Sequence, residues 1–378
     1  MRKYQLVTTQ KDLCRVVEEL NQEVVIGVDT EANSLHAYQE RVCLIQISTS
    51  QADFIVDPIL LEDLTKLKSV FENKKIEKVF HAAEYDLMGL WRDYGWKVTG
   101  LFDTMIAARF LGWNNLSLAS ILWDKYSVRV DKKFQLSNWA ERPLTKEQLF
   151  YAQQDTRFLL AIRDSIIKEF VCQDQWLEVY EEFDRIARAS CRKLLCKSPQ
   201  DFWRISGARS LPNKNAAVLC EVYKYRDKIA CRLDVPPFRI LRDHVIMVIA
   251  RECPTNKKQL GNIRDISARQ VRLHYKGILE AVSRGLVAKY PDKPKRERVD
   301  QLTRDRYQSL KLWRKSRAIN RGVSSDVIVA KEILWDLAVL NPVDYEGLKL
   351  VKDLGSWRRK TYGKDILKIL QASIDRQY

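Results

Sequence analysis

The sequence predicts an α/β domain with a mixed sheet and flanking helices, followed by two all-α helical bundles. Strand and helix signals alternate over the first 160 residues. Helical periodicity then dominates from about residue 165 to the end, and the helical part repeats itself.

In the first part, residues 12–20 read as a helix, and residues 24–29, 42–47 and 54–57 read as strands. Residues 60–71 read as a helix, 78–81 as a short strand and 84–91 as a helix. Residues 103–111 have helical spacing, with Asp103 placed to cap the N-terminus. Three early strands follow one another without helices between them, which points to a mixed rather than an all-parallel sheet.

The later part is punctuated at Lys197-Ser198-Pro199, Val235-Pro236-Pro237, Cys253-Pro254-Thr255 and Asn341-Pro342. Residues 290–298 are polar, charged and twice interrupted by proline, and read as a linker. A shift of 88 residues superimposes the segments on either side of it. Arg226 falls on Arg314, Ala250 on Ala338, Pro254 on Pro342, Asp265 on Asp353 and Ile278-Leu279 on Ile366-Leu367. That period is too long for a solenoid and fits two small bundles in tandem. The expected division is 1–170 for the α/β domain, 171–209 for a helical connector and 210–290 for the first bundle. A linker at 291–300 and the second bundle at 301–378 complete it.

Charge follows this division. The whole chain carries +16, but residues 1–170 hold 22 Lys/Arg against 24 Asp/Glu, and residues 171–378 hold 43 against 25. The basic half suits a polyanionic partner, while the acidic half holds carboxylates for another use. No apolar run is long enough to span a membrane, and the N-terminus lacks a signal-peptide segment, so a cytoplasmic protein with no membrane partner is expected. None of the eight cysteines forms a Cys-x-x-Cys pair, so they read as small buried thiols rather than zinc ligands or disulfides.

Three acidic motifs stand out. Asp29 and Glu31, two apart at a strand end, project from one face and repel unless a cation lies between them. Asp86 follows His81-Ala82-Ala83 in the first turn of a helix, where the macrodipole alone accounts for an acid. Tyr151 and Asp155 share a helix face at i, i+4 spacing, compatible with packing or with chemistry.

Taken together, Asp29/Glu31, Asp86 and Tyr151/Asp155 closely resemble the ribonuclease D family of the Asp-Glu-Asp-Asp exonuclease superfamily. The text around Leu44-Ile45-Gln46-Ile47, Phe102-Asp103-Thr104 and Trp139-Ala140-Glu141-Arg142-Pro143-Leu144 is similar to that family as well. Residues 226–282 resemble a helicase-and-RNase-D C-terminal (HRDC) domain, and the second copy resembles it more distantly, with Ser324-Ser325 in place of Pro236-Pro237. Ala32 stands where the family often has a bulkier residue.

The resemblance implies a ribonuclease H-like sheet and a 3′→5′ exoribonuclease that releases 5′-mononucleotides from accessible RNA 3′ ends, tRNA precursors being the implied substrate. It implies two divalent cations, Mg²⁺ or Mn²⁺, held by Asp29, Glu31, Asp86 and Asp155, since such ions take oxygen ligands. Glu31 is also a candidate contact for the terminal 3′-hydroxyl. Tyr151, whose phenol is a poor base at neutral pH, is expected to orient the attacking water.

Asp103 reads as a helix cap or as a support for the site. Lys132 and Lys133, with Gln135, read as a steering patch or a solvated loop, and His81 as a local packing residue. Aromatic and basic residues interleave at Tyr225-Arg226 and around Arg358-Arg359, which could grip phosphates and stack bases or form a packed stripe. The alternatives are a DNA 3′→5′ exonuclease and a nucleic-acid-binding scaffold with an inactive nuclease domain.

Overall fold

The computed structural model describes residues 3–170, 173–191, 198, 200–294 and 299–375. Cys172, Cys196, Lys197, Pro199 and residues 295–298 of the expected linker lie outside them. The chain divides into two compact units. One comprises Met1–Glu31, Val42–Leu194 and Arg298–Tyr378, and the other Ala32–Arg41 with Leu195–Glu297.

In the first unit the strands are β1 (Tyr4–Val7), β2 (Val25–Ala32), β3 (Val42–Ser48), β4 (Asp53–Val56), β5 (Glu77–Phe80) and β6 (Leu101–Asp103). They form one sheet in the order β1-β4-β3-β2-β5-β6. β3 and β4 pair antiparallel, whereas β1 with β4, β2 with β5 and β5 with β6 pair parallel, so the sheet is mixed as expected. All seven residues of β3 are buried, as a central strand covered on both faces requires. Leu13, Leu67, Phe71, Leu90 and Ile162 pack into the larger core, and Trp139, Leu149 and Ala152 pack with Cys43, Leu44 and Ile55.

The helices of this part are α1 (Gln10–Leu20), α2 (Thr65–Phe71), α3 (Glu84–Tyr94), α4 (Thr104–Phe110), α5 (Leu118–Tyr126), α6 (Lys146–Arg157), α7 (Leu159–Glu169) and α8 (Gln173–Ser190). The helix expected over 60–71 is shorter than its apolar spacing suggests. The carboxylate of Asp63 accepts the Thr65 amide at 2.7 Å, a local turn that competes with helix over the preceding residues. Asp103 does cap α4, accepting from the amides of Met105 and Ile106.

The first bundle, in the other unit, consists of α9 (Asn213–Arg232), α10 (Pro237–Ile240), α11 (Asp243–Glu252), α12 (Lys257–Gly261) and α13 (Ala268–Val287). The second consists of α14 (Gln301–Arg321), α15 (Ser325–Ile328), α16 (Lys331–Leu340), α17 (Tyr345–Lys349) and α18 (Ser356–Asp375). Every helix of the second starts 88 residues after its counterpart. The repeat extends to backbone detail: Cys253 and Asn341 have φ of 47° and 45°, and Asp265 and Asp353 have 66° and 62°. Asn256 and Asp344 cap α12 and α17 in the same way. Arg226 donates to the Leu241 carbonyl and Arg314 to the Val329 carbonyl, each at 3.0 Å.

The second bundle is tied to α8 within its unit. Arg321 pairs with fully buried Glu178 at 2.6 Å, and Arg358 pairs with Glu181 at 3.0 Å and Glu182 at 3.3 Å. Within the other unit, the first bundle holds the 32–41 loop. Tyr38 donates its hydroxyl to Asp227 at 2.7 Å and its amide to Asp234 at 3.1 Å. Of the residues expected in a linker, Asp292 accepts the Trp203 indole N–H at 3.1 Å. Among the described residues no helix is long and apolar enough to cross a membrane.

Candidate active site

Two elements meet to form the site. The strand β2 carries Asp29 and Glu31, and α6 carries Tyr151 and Asp155 one turn apart. A Thr145/Gln148 capping box starts α6. The helix is then pinned to the sheet where Gln153 donates to Asp53 at 2.7 Å and the hydroxyls of Thr156 and Ser48 meet at 2.7 Å. Gly27 permits this approach, since a Cβ there would stand 3.0 Å from the Thr156 carbonyl and 3.1 Å from Leu160. Carboxylate oxygens of Asp29, Glu31 and Asp155 consequently lie within 4.8 Å of one another.

Asp86, at the start of α3, lies outside that mutual distance. Its carboxylate accepts the Thr30 amide at 3.0 Å and the Thr30 hydroxyl at 2.5 Å, which anchors it beside β2. Its electrostatic influence still reaches the others. Burial, then the charges of Asp86, Asp155 and Glu31, raise Asp29 well above the ordinary carboxylate range, and burial, Asp155 and Asp86 do the same to Glu31. Burial pushes Asp86 up to about 7 despite the Thr30 hydrogen bonds, and burial followed by Asp86 pushes Asp155 to about 7. The charges acting on these acids are therefore mainly one another's, a set that a divalent cation would satisfy and that protons otherwise relieve.

Supporting residues are more numerous than the motifs suggested. Asp103 is both a cap and a brace: it accepts the amides of Ala82 at 3.1 Å and Ala83 at 2.7 Å, fixing the turn that launches α3 and Asp86. Ala82 is held at φ 63°, a left-handed conformation that these bonds help maintain. Arg142 forks onto Asp57 at 2.6 and 2.8 Å and also reaches the Cys43 and Trp139 carbonyls, clamping the segment before α6 onto the sheet. Its motif was visible, but its role was not. Thr30 and Gly27 carried no signal beyond their place in the strand.

Tyr151 is half-buried, with its ring stacked 6.0 Å from Trp139 and edge-on 6.2 Å from Phe134. Burial, then Asp155, Glu31 and Asp29, raise its phenol further above its ordinary value, so it remains protonated at neutral pH. His81 is a local packing residue as expected, with Nδ1 2.9 Å from the Thr104 hydroxyl and its basicity lowered by burial.

The candidate nucleic-acid contacts fare unevenly. Arg226 is 5% exposed and bonded to Leu241 and Asp243, and Arg358 is 1% exposed and bonded to Val327, Ile328 and the α8 glutamates. Both guanidiniums are buried and bonded within the protein, so neither is presented to a phosphate, although the Nε of Arg226 has no hydrogen-bond partner. Tyr225 bonds His274 at 3.1 Å and packs where a Cβ on Gly277 would stand, half-buried against the bundle core. Arg359 donates to the Leu354 carbonyl and is partly exposed. Lys132 and Lys133 are exposed on the loop before α6, with Lys133 5.3 Å from the Phe134 ring centroid.

Comparison with known proteins agrees with this geometry. Residues 4–170 match the 3′-5′ exonuclease domain model, and residues 215–282 and 303–370 each match the HRDC domain model. The matched model defines this part of the chain as a 3′-5′ exonuclease domain, and the mixed sheet and the carboxylates lie within it. Ribonuclease D of Nitrobacter hamburgensis is 28% identical over 96% of this chain and 94% of its own. The chain thus carries a 3′-5′ exonuclease domain followed by two HRDC domains, and over nearly its whole length it is similar to ribonuclease D. The exosome complex exonuclease RRP6 of Saccharomyces cerevisiae is 33% identical over 66% of the chain. This chain spans about a third of the length of the exosome relatives it matches, 36% and 33%. The crystal structure of Escherichia coli RNase D covers 98% of this chain and 99% of its own with a TM-score of 0.72 at 23% identity, a likeness of fold.

Proposed function

We propose that the chain is a metal-dependent 3′→5′ exoribonuclease that releases 5′-mononucleotides, with structured RNAs such as tRNA precursors as substrates. The observation that carries this reading is the mutual approach of Asp29, Glu31 and Asp155 within 4.8 Å, with Asp86 held beside them and other acids as the leading charges that act on these four. Such a set of hard oxygen ligands suits Mg²⁺ or Mn²⁺. When bound, two such ions supply Lewis acidity to the scissile phosphate and neutralise the developing charge.

The protein's own residues have separate tasks. Asp29, Glu31 and Asp155 hold the cations, and Thr30 orients Asp86 by two hydrogen bonds that partly offset the effect of burial. Tyr151 keeps its proton and orients the attacking water by hydrogen bond rather than removing a proton from it. Within the proposed boundaries, residues 1–170 cut, while the basic bundles at 210–290 and 301–378 retain the substrate through backbone charge. Names of relatives support RNA as substrate: ribonuclease D in several bacteria and an exosome exonuclease in yeast.

The test uses 5′-labelled RNA and DNA with Mg²⁺ or Mn²⁺, with chelator, and with Asp29→Asn. Stepwise shortening of RNA from the 3′ end by the wild type alone, abolished by chelator, is expected. DNA preferred over RNA would replace the substrate assignment, and binding without cleavage would replace the enzyme by a scaffold.

A further inference from the structure

Beside the carboxylates, the loop carrying Val128 to Phe134 and the outer face of α6 enclose a cavity of about 700 Å³, of which Tyr151 forms one wall. That size falls within the roughly 300–1,000 Å³ of sites that enclose small organic ligands. Its lining differs from a packed core in one decisive way. Phe150, one turn after Lys146 on α6, is 42% exposed, where an aromatic that only filled the core would be covered. Phe134 stands edge-on to Tyr151 at 6.2 Å, and Phe158 closes the end of the same helix face.

Cations surround the rings. Lys133, Lys146, Arg129 and Arg157 line the cavity together with Asp131 and Glu147; among the described residues no ion pair joins any of the four cations to a carboxylate, although Lys133 and Lys146 both favour the charged form of Glu147. Lys133 and Arg157 instead lie over Phe134 and Phe158, at 5.3 and 5.8 Å from the ring centroids. Gln154, on the same wall, has an amide nitrogen with no hydrogen-bond partner. Cations over two half-buried rings, beside the exposed ring of Phe150, form a surface suited to a single-stranded nucleic acid: the open ring meets bases of any sequence, and the cations meet phosphates. A lipid or an aliphatic ligand would leave the four cations unused.

We propose that this groove is a stacking subsite for the nucleotide next to the scissile phosphate on its 5′ side, with Phe150 as the stacking ring and Lys146 and Arg157 facing the backbone. The proposal rests on the exonuclease reading above and deepens it. It makes α6 a two-sided element. One side presents Asp155 to the carboxylate set, and the adjoining side grips the strand being cut, with Tyr151 between them.

The test measures kcat and KM of the full chain on a short single-stranded RNA, together with quenching of 2-aminopurine placed at the penultimate position, in the inactive Asp29→Asn background. Phe150→Ala is expected to raise KM about ten-fold, within the roughly 5- to 150-fold span of a lost base stack, and to abolish the quenching. Phe150→Tyr should restore both, whereas Phe150→Leu, which keeps an apolar side chain but no ring face, should not. Lys146→Ala should raise KM and flatten its salt dependence without restoring fluorescence. Wild-type KM and quenching in Phe150→Ala, with unfolding unchanged, would overturn the subsite. Absence of nucleotide release by the wild type would instead remove the exonuclease reading, and quenching in the inactive variant would still decide whether the groove binds a base.

Discussion

Asp29, Glu31, Asp86 and Asp155 face one another, while Glu178, Glu181 and Glu182 on α8 face arginines. Both groups are acids withdrawn from solvent in the same part of the chain. On α8, burial raises Glu178 but Arg321 and Arg358 pull it back, and the ion pairs at 2.6, 3.0 and 3.3 Å close the account within the protein. At the end of β2 the acids raise one another instead. A buried acid with its own arginine holds two elements together. Acids left facing one another take up protons or a cation that arrives from outside.

Four predictions break or sharpen this contrast. The largest concerns Asp155→Asn, expected to lower turnover on the order of 10³-fold, since a cation at such a site contributes several kcal/mol to the transition state. In metal-free buffer the same variant should unfold at a higher temperature than the wild type, because one of the mutually repelling charges is gone. A lower melting temperature would show that Asp155 is structurally paired. Next is Arg358→Met, which leaves half-buried Glu181 without its guanidinium and Glu182 with Arg185 alone, and should cost about 3 kcal/mol in urea unfolding. A loss under about 1 kcal/mol would mean that the α8 acids do not depend on it.

The third prediction concerns pH. Asp86 and Asp155 have folded-state values raised to about 7, above those of an unfolded carboxylate. Between about pH 4 and 7 the folded protein therefore binds more protons than the unfolded chain, so metal-free stability should fall as pH rises through that window. Saturating Mn²⁺ should offset the fall, with its stabilising increment larger at pH 8 than at pH 5. A metal increment independent of pH would contradict the proton-relieved cluster. The smallest effect is that of Asp326→Ala, which removes a partly exposed pair with Arg109 at 2.9 Å and should change stability by about 1 kcal/mol or less.

The acids of the site were legible because their chemistry forces them into a pattern. A cation between carboxylates demands acids on one strand face and one helix face, and Asp29/Glu31 and Tyr151/Asp155 display those spacings. What positions them was not legible, because support comes from residues distant in sequence. Thr30 meets Asp86 across 56 positions and Arg142 meets Asp57 across 85. For Arg226 and Arg358 the sequence left two readings open for a related reason: an arginine beside aromatics has the same local sequence whether it faces phosphate or lies buried against carbonyls, as both do here. The helix expected from residue 60 failed at Asp63, where one side-chain hydrogen bond outweighed apolar spacing.

Arg358 also records how a duplicated module acquires a new attachment. Its counterpart 88 positions earlier is Gln270, whose amide donates to the Ile240 carbonyl at 2.8 Å, just as Arg358 donates to the Ile328 carbonyl at 3.0 Å. The inherited task is retained in both copies, and the longer guanidinium adds a reach to α8 without disturbing the helices that carry it. A paralogous copy could thus become a tether through one residue, which leaves its sibling free to diverge toward other work.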